Sequence, residues 1–379
     1  MRGVKGKRSP FLFGKTVVEN SFINRTKDIE HLWLNMQSGI NTVLISPRRW
    51  GKSSLVKHTS IIYAKEENVR WCFLDMFAIR NEADFYAKLT TELLKVTSSK
   101  WKNWVETTKS FFKQIVPQIN MGIDPVNDFS VSFRWEDLTK NKDEILDFPE
   151  KIAQKFNIQL IVCIDEFQNI NSFDSSDAFE KLLRSHWQHH QHVSYCLYGS
   201  KRTLMTEIFN KKNRAFYRFG DVIMLNKIAT EHWTPFIVKK FSETGKIISE
   251  NLSKKIVENM KNHTYYVQQL SHYVWENTDN EATDAILTTA LDRLLEINTP
   301  FYQAETEHLN NTQIELLKAI VNGEKQLTAV KTLRSYRIGT PQNVIKNIKS
   351  LEKQDFIDKQ NGVIELLDPA FEFWLKRIL

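Results

Sequence analysis

Cysteine is scarce in this chain. Three thiols in 379 residues, Cys72, Cys163 and Cys196, form no disulfide framework and have none of the spacings of a zinc site. Each lies inside an apolar run, which points to buried, reduced thiols. Long apolar runs are missing as well: the longest are about five residues, against the ~20 that a membrane-spanning helix requires. No transmembrane segment is expected. No apolar stretch follows the early basic residues Arg2, Lys5, Lys7 and Arg8, so a secretory signal is not expected either and a cytoplasmic setting is. Internal repeats and low-complexity tracts are lacking, and neither sign of charge dominates. The 52 Lys and Arg against 45 Asp and Glu leave +7, spread along the chain apart from its start, which is compatible with nucleic acid without establishing it.

What is present suits a globular protein. Apolar residues make up 41% and charged residues 26%, and 10 Trp with 24 Phe argue against general disorder. The length exceeds what one core organises, so two or three domains of about 100–200 residues are expected. Through the first part of the chain, β-rich runs at Asn41–Ser46, Val69–Met76, Ile158–Asp165, Val193–Gly199 and Asp221–Leu225 alternate with helical patterns, as in a mostly parallel sheet covered by helices. Ile158–Asp165 is nearly all apolar and should be central. Between 100 and 149 the rhythm breaks: Trp101, Trp104, Phe111 and Phe112 suggest an amphipathic helix, and Ile119–Phe133 reads as an inserted hairpin around Pro125. Helical periodicity dominates from Ala229 to Ala304. The remainder reads as helices Thr312–Asn322 and Leu327–Tyr336, a turn at Gly339, a helix opened by Thr340-Pro341, and a hairpin around Asn361-Gly362. The expected organisation is therefore an α/β core, a mostly parallel sheet flanked by helices, at 1–228 with an insertion near 100–149. A helical lid at 229–304 and a winged helix-turn-helix at 305–379 follow.

The sharpest local pattern is Ser46-Pro47-Arg48-Arg49-Trp50-Gly51-Lys52-Ser53-Ser54, between an apolar strand and a helical run. It fits the phosphate-binding pattern G-x-x-x-x-G-K-[ST] except at its first position, Ser46. Gly51 would let backbone approach phosphates, N–H groups at the helix start would surround the anion, Lys52 would reach the β- and γ-phosphates, and Ser53 would ligate magnesium. By itself the pattern could be an ordinary strand-to-helix loop. A second signal, Leu160–Glu166, is a buried strand ending in two carboxylates, Asp165 suited to hold the metal and Glu166 to polarise water. Two adjacent acids at an apolar strand tip are otherwise costly. A third strand ends in Ser200, which could sit beside the carboxylates and sense the γ-phosphate or could simply close a strand. Arg218, just before the fifth strand, is either a phosphate contact within its own or a neighbouring subunit, or a surface arginine.

The order SPRRWGKSSL, WCFLDMF, LIVCIDEFQNI, YCLYGSKRTLM, FYRFGDVIML, TYYVQQLSHYVW resembles the archaeal-type ATPases of archaea and bacteria, an AAA-related branch of the signal-transduction ATPases. The resemblance runs from Phe22 to the C-terminus. It implies that Arg48 and Arg49 are the paired arginines of the phosphate loop, Asp165 and Glu166 the magnesium-binding and catalytic acids, and Ser200 the polar sensor. Asn24 and Arg25 would then lie near the nucleotide base, and ATP with magnesium is the implied cofactor pair. Departures are Ser46 at the usual first glycine and Asn262-His263-Thr264 where relatives carry a Gly- and Pro-containing turn, with no sensor arginine before Tyr265.

Other signals are weaker. His186, His189, His190 and His192 read as a polar helix end rather than a metal site. Asn226-Lys227-Ile228-Ala229 lacks the aspartate of the guanine-reading tetrad N-K-x-D, so adenine is preferred. Residues 340–354 form the recognition helix expected of a winged helix, with Lys346, Lys349 and Lys353 and with Gln342, Asn343 and Asn347 as base-edge donors. Winged helices also bind protein, so duplex DNA and a protein partner both stay open, as does oligomerisation. Three functions fit: an ATP-hydrolysing switch, a nucleotide-binding interaction module that does not hydrolyse, and a DNA-binding regulator whose assembly ATP controls.

Overall fold

The computed structural model describes residues 8–66, 68–97, 118–121, 129–360 and 362–378. The chain divides into two compact units, one made of Arg25–Arg48 and Lys52–Asn226, the other of Met1–Asn24, Arg49–Gly51 and Lys227–Leu379.

The first unit holds the strands β1 (Thr42–Ile45), β2 (Val69–Asp75), β3 (Gln118–Met121), β4 (Phe129–Ser132), β5 (Gln159–Asp165), β6 (Val193–Gly199) and β7 (Asp221–Met224). β2, β5, β6, β1 and β7, in that order across the sheet, pair in parallel. The order explains the composition. β5 and β6 are interior strands covered on both faces, so Leu160–Ile164 and all of β6 are buried, and neither alternates polar with apolar. Cys163 stands in register with Cys196, both thiols are free and buried, and burial pushes the Cys163 thiol well up.

The helices of this unit are α1 (Thr26–Gln37), α2 (Lys52–Ile62), α3 (Glu82–Thr97), α4 (Trp135–Leu146), α5 (Phe148–Phe156), α6 (Ser176–Trp187) and α7 (Arg202–Asn210). Asn157, left-handed at φ 49°, ends α5 and turns the chain into β5. The core is strongly aromatic: Trp187 stacks on Tyr195 at 4.2 Å, and Phe216 meets Phe167 edge-on at 5.3 Å. The excursion after α3 contains the expected hairpin, Gln118↔Ser132 to Met121↔Phe129, and the Val131 N–H donates to Thr91 Oγ1 of α3 at 2.9 Å. Pro125 and the helix expected around Trp101, Trp104, Phe111 and Phe112 lie outside the described residues.

The second unit carries α8 (Thr230–Glu243), α9 (Glu250–Asn259), α10 (Thr264–Glu276), α11 (Asp284–Glu307), α12 (Asn311–Val321), α13 (Val330–Ser335) and α14 (Pro341–Lys353). The hairpin β8 (Ile357–Gln360) and β9 (Val363–Leu366) follows, and then α15 (Pro369–Ile378). α11 runs uninterrupted across the junction expected at 304/305, where Tyr302–Glu307 offers neither a glycine nor a proline. The first cap after it is Asn310, whose Oδ1 accepts from Gln313 N while Gln313 Oε1 accepts from Asn310 N, both at 3.0 Å. Thr340 caps α14 by accepting from Asn343 N at 3.3 Å, with Pro341 at the first helical position as expected. The hairpin pairs Ile357↔Leu366 to Gln360↔Val363, with Gly362 left-handed at φ 83°, while Asn361 lies outside the described residues. Among the described residues, no helix is long and apolar enough to cross a membrane.

Candidate functional site

β1 delivers the chain to Ser46, and α2 opens at Lys52, so the intervening loop sits at the C-terminal end of a parallel strand and the N-terminus of a helix. The left-handed positions of the loop are Arg49, φ 62°, and Gly51, φ 96°. Ser46 is not among them, which accounts physically for a serine in the place of the first glycine. Its buried hydroxyl donates to Pro47 O at 3.2 Å, a local bond that a side chain of this size makes without strain. Gly51 is different, because a side chain at φ 96° would be strained whatever the space around it. Lys52 is 5% exposed, and its ammonium donates to Ser46 O at 3.1 Å and Pro47 O at 3.3 Å.

The sheet order then brings the second motif to the first. β6 lies between β1 and β5, with Ile45 level with Gly199 and Ile164 level with Leu197, so the three strand ends converge. Ser53 Oγ donates to Asp165 Oδ2 at 2.6 Å. Burial, aided by the charge of Glu166, lifts Asp165 to about 6 against the hydrogen bond from Ser53. Glu166 follows in the left-handed region, φ 50°, which breaks the strand and turns its side chain onto the end of β6. Its Oε2 accepts from Ser200 Oγ at 2.7 Å, from Ser200 N at 3.4 Å and from Gln168 Nε2. Burial alone would raise its pKa, but the Ser200 hydroxyl, the Gln168 amide, the Lys52 charge and the Ser200 N–H together hold it below the ordinary carboxylate value. Lys52, Ser53, Asp165, Glu166 and Ser200 thus form one cluster.

The remaining expected residues are placed elsewhere. Arg25 is buried, donating to Asp28 Oδ2 and to Asn226 O, each at 3.0 Å, while Asn24 is exposed. Arg48 is exposed and Ser54 half-buried. Arg49 lies 4.6 Å above the Tyr265 ring and donates to Tyr266 Oη at 3.5 Å. Tyr266 and Tyr302 in turn donate to Asp368, whose Oδ1 also accepts from Phe371 N at 2.9 Å. Trp50 is buried edge-on to His263, and its carbonyl accepts from Thr264 Oγ1 at 3.3 Å. Arg218 is exposed and left-handed; its guanidinium lies 5.3 Å from the Tyr217 ring, and no described contact joins it to the carboxylate cluster. On α14, Lys346, Lys349 and Lys353 are exposed, as are Gln342 and Asn343. Asn347 is corrected: it shares a buried stripe with Val344 and Leu351, and its amide is committed to Thr312 Oγ1 at 3.0 Å, so it is no base-edge donor. The histidine tract is held by carboxylates and a tyrosine, His186 by Asp147 at 2.6 Å, His192 by Glu150 at 2.7 Å and His190 by Tyr195 at 2.9 Å.

Two groups were missed by the sequence reading. Gln168 bonds the second carboxylate directly. Arg214 pairs with Glu180, which is fully buried, and donates to Asn171 Oδ1 at 2.7 Å in the 3-10 turn Phe167–Ser172 that follows the carboxylates. The only cue to Gln168 was its place two residues beyond Glu166; the Arg214 pair left no local signal.

A phosphate-loop junction beside an interior parallel strand that ends in two acids defines a P-loop NTPase-type fold. Family models narrow this: residues 16–198 match a predicted AAA-ATPase and residues 300–377 a probable winged helix domain. The chain therefore carries a predicted AAA-ATPase-like domain and a C-terminal winged helix domain. Among solved structures it is similar to the Walker-type ATPase paby2304 of Pyrococcus abyssi, with 17% identity, a TM-score of 0.69, and 97% of this chain and 100% of that one covered. It is also similar to the ORC2 protein of Aeropyrum pernix in ADPNP–ADP complexes, with 16% identity, a TM-score of 0.56, and 97% and 96% covered. No curated protein matches the sequence.

Proposed function

We propose that the protein is a magnesium-dependent ATP hydrolase that works as a nucleotide-controlled switch and acts on a partner through its winged helix. The observation that carries this is the Ser53–Asp165 contact of 2.6 Å with Glu166 and Ser200 beside it. A hydroxyl and a carboxylate at the N-terminus of a helix are the hard oxygen donors that magnesium favours, so the residues fit that ion. When bound, magnesium neutralises charge on the β- and γ-phosphates. The N–H groups at the start of α2 and the Lys52 ammonium receive the same phosphates, Lys52 exchanging its loop carbonyls for phosphate oxygens. Glu166 takes a proton from water as the water oxygen bonds to the γ-phosphorus; the bond to the bridging oxygen breaks and ADP leaves with its electron pair. Ser200 orients Glu166. Arg48 and Arg49 are the loop's arginines, and Asn24 and Arg25 flank the base. Arg218, whose guanidinium lies beside Tyr217, contacts phosphate within its own subunit or from a neighbouring one. The three free, buried thiols support a reducing, cytoplasmic setting.

The exposed Lys346, Lys349 and Lys353 support duplex DNA as the partner of residues 340–354, by charge and without base reading through Asn347. The test is phosphate release together with binding of a fluorescent ATP analogue. Lys52→Met is expected to weaken binding, while Glu166→Gln binds normally and loses about 10²–10⁴-fold in turnover. Wild-type protein that binds ATP and never releases phosphate would instead make this a non-hydrolysing interaction module.

A further inference from the structure

Gln168 follows Glu166 by two residues, is 2% exposed, and has its Nε2 on Glu166 Oε2. A carboxylate only accepts, so the amide must present its nitrogen there. The same Oε2 receives the Ser200 hydroxyl and the Ser200 N–H. One carboxylate oxygen therefore takes three donors, and no described hydrogen bond reaches the other. The amide oxygen of Gln168 is buried and has no partner among the described residues. That orphan is accommodated by Gly199: a Cβ there would stand 2.0 Å from Gln168 Oε1 and 2.6 Å from Met205 Sδ. Gly199 is not left-handed, so glycine is needed at this strand end for room and not for backbone freedom.

A buried polar atom left unbonded is costly, and a glycine that clears space for it makes the arrangement specific rather than incidental. We propose that Gln168 is a positioning residue for Glu166. Its amide and Ser200 saturate Oε2 and fix the carboxylate plane, so that Oε1 is the oxygen that receives the proton of the attacking water, and Gly199 is the seat that holds the amide in place. This rests on the hydrolytic reading above.

The experiment uses the full-length protein and three readouts: steady-state phosphate release, affinity for a fluorescent ATP analogue, and melting temperature. Gln168→Met, similar in length and without a donor, is expected to lower kcat about 10- to 100-fold, the worth of a hydrogen bond to a charged group. Its nucleotide affinity should stay within about twofold and its melting temperature within a few degrees. Gly199→Ala, which displaces the amide without touching Glu166, is expected to give the same split. Turnover within about twofold of wild type in both variants overturns the proposal, and so does a parallel fall of affinity, turnover and stability, which would mark a purely structural residue. A fourth measurement does not need activity. In glutamine-labelled protein, the side-chain amide signal absent from Gln168→Met should exchange slowly with solvent, and Glu166→Ala should speed that exchange. Unchanged exchange refutes the contact; a wild type without turnover refutes the hydrolytic reading instead.

Discussion

Replacing Arg214 by methionine should destabilise the protein far more than replacing its acidic partner. Glu180 has no solvent exposure and Arg214 is 21% exposed, with Nε 3.2 Å from Glu180 Oε2. Burial outweighs the arginine, so the Glu180 pKa stays raised even in the pair. The pair is therefore not a strong net stabiliser, yet the arginine is what makes an ionised carboxylate tolerable there. Breaking such a pair by removing one side costs about 3–5 kcal/mol, which in a unit of this size is a fall of about 6–20 °C in melting temperature. Glu180→Gln keeps an acceptor for the guanidinium and should cost little, and adding Glu180→Gln to Arg214→Met should recover most of the loss. The raised pKa also fixes the pH dependence. Stability conferred by protonating Glu180 is present at low pH and disappears as pH rises through its folded pKa, so the Arg214→Met defect should deepen from acid to neutral pH. Differential scanning calorimetry of the three variants at two pH values decides the matter. Melting within 2 °C of wild type for Arg214→Met, or a double mutant no better than the single, would refute this reasoning (thresholds of roughly this size follow from the same scaling).

Gly220→Ala should lower the melting temperature by several degrees, because its Cβ would lie 2.0 Å from the backbone oxygen of Asn41, which accepts from Asp221 N at 2.9 Å; unchanged urea midpoints would contradict the clash. His263 is buried with Nδ1 unpartnered among the described residues, and burial with the Lys227 and Arg49 charges takes its pKa down to about 3. Below about pH 6.5 the unfolded chain gains a proton that the folded one refuses, so stability falls by roughly 1.4 kcal/mol per pH unit toward pH 3. His263→Asn should flatten that slope between pH 6 and 4 (a window of about two units below the free histidine value), and an identical pH dependence of the unfolding free energy from urea titrations of the two proteins would count against a buried neutral imidazole.

The features legible in sequence are those written in contiguous residues. Thr340-Pro341 announces a helix start because a cap and a first-turn proline act locally, and the apolar run ending at Asp165-Glu166 announces an interior strand because burial on both faces removes alternation, although the centre of the sheet is β6. The phosphate loop was readable despite Ser46, and the backbone shows why: the left-handed positions are Arg49 and Gly51, not Ser46. What escaped depends on partners distant in sequence. Asn347 looks like a free amide until its register against Val344 and Leu351 places it inside, bonded to Thr312. Arg214 and Glu180 are two ordinary charged residues until the fold buries one of them. The continuity of α11 through 304/305 was hidden because boundaries are inferred from changes of pattern, and a long helix changes no pattern at an expected junction inside it.

Asp368 gathers more than its position suggests. Two tyrosyl hydroxyls and the Phe371 N–H converge on its carboxylate, and through Tyr266 so does Arg49. Burial raises the cost of its negative charge, and the guanidinium of Arg49 is among the groups that lower it. A residue inside the phosphate-loop sequence and the first turn of the last helix therefore draw on one anion. Any event that neutralises or withdraws the Arg49 charge makes Asp368 easier to protonate, and a protonated carboxyl is a poorer acceptor for the helix it caps, so the loop tip and the chain's final helix share a single electrostatic account.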